Sequence, residues 1–441
     1  MSGSLWRNAL LRGACAAWWT ACGGVGAAEP VDLNGYAWQQ ANPSAPWAPR
    51  AGLEAVELEG RLFVMGGRTP VDPNVVPVFG ASVLWGDVWR SDDRGATWTS
   101  LLDSTAPGHW APRAYFEAVA HDGRMYVLGG QDFNVVANPA PFGPPLIAVS
   151  NFFNDVWSSS DGTAWVQETT PESSASRWAG RAGLSSIVFR DELYVLGGSK
   201  NDDSAIVGPG GPAREYFNDV WKSSDGGRTW QQAVAHAPWS PRAGAAVVVK
   251  DDYLYLLGGE DGFVCDAVNP RCPPYFNDVW RTPDGATWEL VTAAAGWAGR
   301  PGHVANVVGD QIVVFGGFGL STDPTNPFLP ANPMDMWASP DGAAWQKLPS
   351  SPWNAGQPEQ IKYDFDSLTV LEGPTGRPAI YTFGGDRETF NPFDPVNYLR
   401  VDNDVWRYAP IPEPNGFALA LLAAAGAAAR RRPAADGPIT A

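Results

Sequence analysis

Short runs of apolar and β-branched residues recur along the chain, and each ends at a Gly-Gly pair or at a tight polar turn. In residues 239–290, two such runs are joined by a turn at 251–252, and the second run ends at the glycine pair 258–259. After a long loop, two shorter segments flank another turn at 284–285. Short apolar runs bounded by Gly, Pro and Asp are typical of β-strands. This stretch therefore predicts four short antiparallel strands.

The same order of segments occurs six times. The glycine pairs begin at Gly66, Gly129, Gly197, Gly258, Gly316 and Gly384. Each pair is followed by Asp-Val-Trp or a near copy, with its tryptophan at Trp89, Trp157, Trp221, Trp280, Trp337 and Trp406. A repeat of roughly sixty residues indicates one supersecondary unit arranged radially or in a stack. We therefore predict an all-β fold, a six-bladed β-propeller of four-stranded antiparallel blades.

The last repeat lacks its closing strand. The strands that follow the first five Asp-Val-Trp segments carry Trp98, Trp165, Trp230, Trp288 and Trp345, and no such strand follows Trp406. The segment 35–38, which ends in Trp38, precedes the first repeat and has the missing pattern. We predict that this N-terminal strand closes the last blade. We interpret the recurrent tryptophans as packing between blades, with a sugar-stacking surface as the alternative for those that precede an arginine by three residues.

The repeat units resemble kelch repeats over residues 36–408, and this resemblance implies a six-bladed propeller. The hairpins 91–98 and 223–230 share the pattern Ser-x-Asp-x-Gly-x-Thr-Trp and resemble the Asp-box of sialidases. No local motif matches the catalytic set of sialidases. The propeller is also similar to that of galactose oxidase, but the sequence shows nothing like its copper site. We predict no cofactor.

Charge and cysteine content narrow the class of protein. The net charge is −17, and no run of basic residues occurs among the repeats. Nucleic-acid binding requires a basic face, so we expect no nucleic-acid partner. Beyond the first 28 residues only Cys265 and Cys272 remain, close together in one loop, and in an exported protein such a pair predicts a disulfide. Two thiols without a neighbouring histidine make a poor zinc site, so we predict no metal.

Both ends of the chain have the features of export signals. Residues 1–28 combine basic residues, an apolar stretch and small residues, as in a signal peptide, although a weak lipoprotein-like box ends at Cys22. Residues 411–432 contain Pro-Glu-Pro, an apolar segment at 416–429 and three arginines, and they resemble a PEP-CTERM sorting signal. This resemblance implies exosortase as a processing partner and transient membrane anchoring; a plain C-terminal anchor is the alternative. Residues 433–441 form a short tail.

A recurrent arginine marks the entry to five innermost strands. These residues are Arg50, Arg113, Arg181, Arg242 and Arg300. Equivalent positions in a closed propeller form a ring about the axis, so we predict a binding site for an anionic ligand at the mouth. The alternative is that each arginine pairs locally with a carboxylate or a carbonyl group.

Glu54 and Glu117 each lie four residues beyond such an arginine and therefore on the same strand face. If the protein is an enzyme, these glutamates are the best acid–base candidates, since the repeats also resemble those of sialate epimerases. Otherwise each is the ion-pair partner of a nearby arginine.

Our interpretation is an exported propeller on the surface, or in the extracellular matrix, of a Gram-negative bacterium. It would act as a binding module for acidic glycans, exopolysaccharide or a protein. The alternative is a carbohydrate-active enzyme, similar to sialate epimerases or glycoside hydrolases, that uses the loop face of the propeller.

Overall fold

The structure is a computed structural model, and its description covers residues 31–72, 74–76, 78, 80–169, 177–202, 212–262, 274–319, 335–354, 362–388 and 399–411. The predicted signal peptide, the sorting signal beyond residue 411, the short tail, Cys265 and Cys272 lie outside these ranges. Within them, no helix is both long and apolar enough to span a membrane.

Six four-stranded antiparallel sheets form the blades of a propeller ring, as predicted. Blade 1 comprises Glu54–Leu58, Arg61–Met65, Val88–Ser91 and Thr99–Leu102; blade 2 comprises Glu117–His121, Arg124–Leu128, Val156–Ser159 and Val166–Gln167. Blade 3 comprises Ser185–Phe189, Glu192–Leu196, Val220–Ser223 and Gln231–Val234; blade 4 comprises Ala246–Lys250, Tyr253–Glu260, Tyr275–Thr282 and Glu289–Thr292. Blade 5 comprises His303–Val308, Gln311–Gly316, Met336–Ser339 and Gln346–Leu348; blade 6 comprises Asp366–Glu372, Arg377–Asp386, Val401–Pro410 and Tyr36–Asn42.

Short additional elements decorate the ring. Three two-stranded hairpins extend from the ends of blade strands, and they pair Arg68–Pro70 with Ser82–Leu84, Asn134–Ala137 with Leu146–Val149, and Ser199–Lys200 with Glu215–Tyr216. The described residues also form 3-10 turns at Leu33–Gly35 and Pro352–Asn354.

The N-terminal strand closes the ring, which confirms the prediction. Tyr36–Asn42 runs antiparallel to Val401–Pro410, and Trp38 lies opposite Tyr408. The first blade then packs on this last blade, since Leu53 and Val64 share a buried cluster with Phe383. Closure therefore joins the two ends of the propeller through both backbone pairing and side-chain packing.

Tryptophan pairs fill the blades. In each repeat the tryptophan before the arginine slot packs edge-on against a closing tryptophan, as Trp47 does against Trp98 with ring centroids 4.5 Å apart. In blade 6 the partner of Trp353 is Trp38, at 4.9 Å, from the N-terminal strand. The tryptophans before the arginine slot are almost completely buried, so they are core residues and form no surface for stacking sugars. Such an aromatic pair contributes about 0.5–1.5 kcal/mol beyond area burial.

Candidate functional site

The five arginines predicted to ring the mouth are buried, with 0–1% of each residue exposed. In blade 2, Arg113 donates from Nη1 and Nη2 to the two carboxylate oxygens of Asp155 at 2.6 and 3.0 Å. Its Nη1 also donates to the Gly129 carbonyl at 2.8 Å, and its Nε donates to the Ala111 carbonyl at 3.0 Å. The arginine thus joins three segments of one blade, which is the local pairing that the sequence left as the alternative.

The same contact is repeated around the ring. The pairs Arg50–Asp87, Arg181–Asp219, Arg242–Asp278 and Arg300–Asp335 have closest distances of 2.5–2.7 Å. In blade 6, Lys362 occupies the arginine's place and contacts Asp404 at 2.5 Å. The aspartates come from the Asp-Val-Trp motif, which explains why that triplet recurs with the arginine.

Glu54 and Glu117 lie in the central channel of the propeller, a cavity of about 250 Å³ lined by the innermost strands. Together with Asp366 they are the first residues of the innermost strands of three consecutive blades. Glu54 accepts a hydrogen bond from the Ala118 amide at 3.2 Å, and Asp366 accepts one from the Ala55 amide at 2.6 Å. Among the described residues neither glutamate pairs with an arginine, contrary to the structural alternative drawn from the sequence.

Burial in the channel favours the protonated form of these three carboxyl groups. It raises the pKa of Asp366 to about 7. Burial also raises the pKa of Glu54 and of Glu117, and the charge of Asp366 raises both further. The channel carboxyls are therefore a coupled group that titrates above the usual range.

A collar of six residues separates this channel from the loop face. Its members stand two positions after each arginine slot: Gly52, Tyr115, Gly183, Gly244, Gly302 and Asp364. Backbone hydrogen bonds of 2.8–3.0 Å join neighbouring collar residues from blade to blade, such as Gly52 to Asp364 and Tyr115 to Gly52. All six have φ between 47° and 60°.

Four blades place glycine in the collar, and glycine adopts this left-handed conformation without strain. Tyr115 and Asp364 adopt it with side chains, at φ of 54° and 47°. The neighbouring glycines make room for them: a Cβ on Gly52 would lie 2.9 Å from the Tyr115 ring, and one on Gly302 would lie 2.2 Å from Asp364 Oδ1. Non-glycine residues held in strained conformations occur preferentially at functional sites.

Above the collar, on the loop face, lies a cavity of about 180 Å³. Tyr115 and Asp364 line it together with residues that directly follow the Gly-Gly pairs of four blades, namely Arg68, Gln131, Ser199 and Glu260. The sequence analysis placed the ring of polar side chains at the arginine slot, because that slot recurs most regularly. In the structure, the polar side chains that line the cavity come instead from the position after the Gly-Gly pair. A different signal in the sequence could have indicated these positions. The residue after each Gly-Gly pair changes in chemistry from repeat to repeat, although its position in the repeat is constant.

Arg68 organises one side of the cavity. Its Nη2 donates to Asp386 at 2.6 Å and to Glu388 at 2.8 Å, and its Nε donates to the Tyr115 hydroxyl at 2.7 Å. The Tyr115 side chain also lies beside Asp364 and lowers the pKa of its carboxyl. Burial raises the pKa of Asp364 to about 6, despite the opposing effects of Arg68 and Tyr115. Arg68, Tyr115 and Asp364 thus form one group of neighbouring polar side chains that includes a titratable carboxyl.

A second carboxyl group lies across the cavity. Glu260 is 6% exposed, and its Oε2 has no hydrogen-bond partner within the described ranges. Burial raises the pKa of Glu260 well above the usual range, and the charge of Asp202 and a hydrogen bond to it raise the pKa further. No group of His, Cys, Asp and Glu among the described residues is arranged to hold a metal ion. The arrangement suits proton transfer or polar recognition.

Comparisons with known proteins agree with this architecture. Residues 148–317 match the KLHDC2/KLHL20/DRC7 Kelch-repeats domain, and residues 112–158 match the Kelch motif. The chain is 26% identical over 277 residues to N-acetylneuraminate epimerase of Escherichia coli O139:H28, and equally so to the enzyme of that name from Shigella boydii serotype 4. The matched segment spans 62% of this chain and 58% of each relative's length.

A solved structure, titled "Structure of YjhT", has a similar fold, with a TM-score of 0.55 and 17% sequence identity. The match covers 83% of this chain and 96% of that chain. The six blades form a β-propeller, and the repeats within residues 112–317 match kelch family models.

Proposed function

We propose that the protein is a carbohydrate-active propeller whose loop-face cavity binds a small sugar and exchanges its anomers by acid–base catalysis. The observation that carries this proposal is the group of neighbouring side chains Arg68, Tyr115 and Asp364 around the loop-face cavity. Two of its members take a strained backbone where other blades use glycine, and all three line the same cavity. The name of the curated relatives, N-acetylneuraminate epimerase, supports the class of reaction.

The chemistry requires two proton transfers and no cofactor. The Asp364 carboxylate accepts the proton of the anomeric hydroxyl while the Tyr115 hydroxyl donates a proton to the ring oxygen, and the ring C–O bond breaks to give the open carbonyl form. After rotation of the carbonyl group, the hydroxyl formed from the ring oxygen attacks its other face: the Tyr115 phenolate takes the proton of that hydroxyl, the Asp364 carboxyl returns its proton to the carbonyl oxygen, and the ring closes as the second anomer.

Arg68 assists without exchanging a proton. Its Nε donates to the Tyr115 oxygen at 2.7 Å, so it stabilises the negative charge that develops there. Two carboxylates hold the guanidinium in place from the other side, at 2.6 and 2.8 Å. This positioning is available before a ligand binds.

The test is anomer exchange measured by NMR on a panel of reducing sugars. The protein should accelerate exchange of at least one sugar beyond the buffer rate. The rate should rise with pH through about 6, because Asp364 acts as a base only when ionised and its pKa is raised to about 6. A panel of neutral, acidic and amino sugars with no exchange above the buffer rate would rule the proposal out.

The proposal also includes export from the cytoplasm, which rests on the signal-like segments 1–28 and 411–432. An exported binding module for glycans or exopolysaccharide is the second candidate function, and the cavity on the loop face, with its polar lining residues, also supports it. It would show saturable sugar binding without anomer exchange.

A further inference from the structure

The charges around the loop-face cavity are unbalanced. Its ionisable carboxyl groups include Asp202, Glu260, Asp364 and Glu388, whereas Arg68 is the one arginine or lysine among the described residues that line it. Arg68 already forms ion pairs with Glu388 and Asp386. The cavity therefore presents an excess of acidic groups to a ligand.

Glu260 is the carboxyl group that this excess of acidic charge affects most. It is buried, it lines the cavity, and its Oε2 lacks a hydrogen-bond partner in the part of the chain that the structure describes. The described residues provide no ion-pair partner for it, and its neighbours Asp202 and Asp364 are acidic. A buried carboxyl group without a counter-charge takes up a proton instead of ionising.

We propose that the ligand carries a protonated amine and that this group pairs with Glu260, so that the substrate class is an amino sugar with a free amino group. This inference rests on the proposed function for the sugar and on the geometry of Glu260 for the amine. An ammonium group supplies the positive charge and the hydrogen-bond donors that Oε2 lacks.

The same geometry disfavours an acidic sugar. A ligand carboxylate would need a cation, and Arg68 is held by its protein partners at 2.6, 2.7 and 2.8 Å. Such a ligand would also face the remaining carboxyl groups at close range, where like charges repel. This expectation departs from the acidic ligand predicted from the sequence and from the acid named in the relatives' titles.

Calorimetric titration tests the inference with matched sugars. Glucosamine should bind about tenfold tighter than N-acetylglucosamine, which lacks the charge, at a pH where the amine is protonated; tenfold corresponds to one modest ion pair. Binding of glucosamine should also release protons, because the ammonium group favours the ionised form of Glu260. Titrations in two buffers of different ionisation enthalpy measure that release.

Variants separate this inference from the proposed function. Glu260→Gln should reduce the preference for glucosamine to about threefold or less, whereas the matched control Glu59→Gln, on an exposed turn, should keep it. If N-acetylglucosamine or N-acetylneuraminate binds as tightly as glucosamine, the amine inference is wrong while sugar binding stands. If no sugar of any charge binds, the proposed function fails together with the inference.

Discussion

Asp364 combines an unfavourable backbone conformation with a half-buried carboxyl group. Its φ of 47° belongs to the left-handed region, and burial raises its pKa to about 6. Both features cost stability, and the neighbouring Tyr115 side chain, which lowers the pKa of the carboxyl, only partly offsets the effect of burial. A residue that destabilises the fold at the wall of a cavity is best explained by activity.

Replacing Asp364 by glycine should therefore stabilise the protein and remove anomer exchange. Relief of the left-handed backbone should raise the free energy of unfolding by about 1 kcal/mol. Asp364→Asn is the control, because asparagine tolerates this conformation, so it should lose exchange with a smaller gain in stability. Denaturant unfolding measures the stability of both variants. A glycine variant less stable than the parent would contradict the role assigned to strain.

The buried arginines lead to the opposite expectation. Arg113→Ala should lower the free energy of unfolding by about 3–5 kcal/mol, because Asp155 would remain buried without its counter-charge. Sugar binding by the folded fraction should not change, since the arginine does not line the cavity. Loss of binding with an unchanged melting temperature would instead place Arg113 in a binding site.

At the scale of elements, the strand that matters most to integrity is the one that closes the ring. Tyr36–Asn42 contributes Trp38, whose ring packs on Trp353 and Phe315 as well as on its own blade. Without this strand, Val401–Pro410 would become an exposed edge, and the sixth tryptophan pair would lose one member.

Deletion of residues 31–40 should lower the melting temperature of the whole domain in a single transition, because blades 5 and 6 both lose packing. Shortening the exposed tip 139–144 of the hairpin in blade 2 is the control and should leave the melting temperature nearly unchanged. Differential scanning calorimetry would contradict the proposed closure if the deletion and the control behaved alike.

The sequence predicted the elements well because strand runs, turns and the Gly-Gly pairs are local signals. The missing sixth closing tryptophan even located the N-terminal strand. The sequence could not distinguish the buried arginine slot from the cavity-facing slot after Gly-Gly, since both recur with the same period. Which slot faces the cavity depends on how neighbouring blades pack against each other. Arg113 is buried away from the cavity, whereas Arg68 lines it.

At the scale of the whole molecule, the channel carboxyls couple the stability of the propeller to pH. Asp366, Glu54 and Glu117 bridge three consecutive blades, and the pKa of each is raised by burial. The folded state therefore binds more protons than the unfolded chain at mildly acidic pH. Their contribution is fully present below the unfolded pKa, about 4, and is lost as pH rises through the folded values.

The melting temperature should accordingly fall between about pH 5 and pH 8. Asp366→Asn should flatten the profile and raise stability at the alkaline end, because an amide keeps the polar contact without the charge. The Glu59→Gln variant should retain the parent's slope. A melting temperature that rises over this range, and that Asp366→Asn does not alter, would show that these carboxyls ionise freely.

The most direct test of the account compares two aspartates that lie two residues apart, Asp364 in the collar and Asp366 in the channel. Asp364 lines the loop-face cavity and Asp366 lines the channel, and burial raises the pKa of both. NMR anomer exchange on folded Asp364→Asn and Asp366→Asn proteins should show a loss of about a hundredfold in the first, as expected when a general base is removed, and near-parent rates in the second. Equal losses, or a loss confined to Asp366→Asn, would contradict the claim that the chemistry lies in the loop-face cavity.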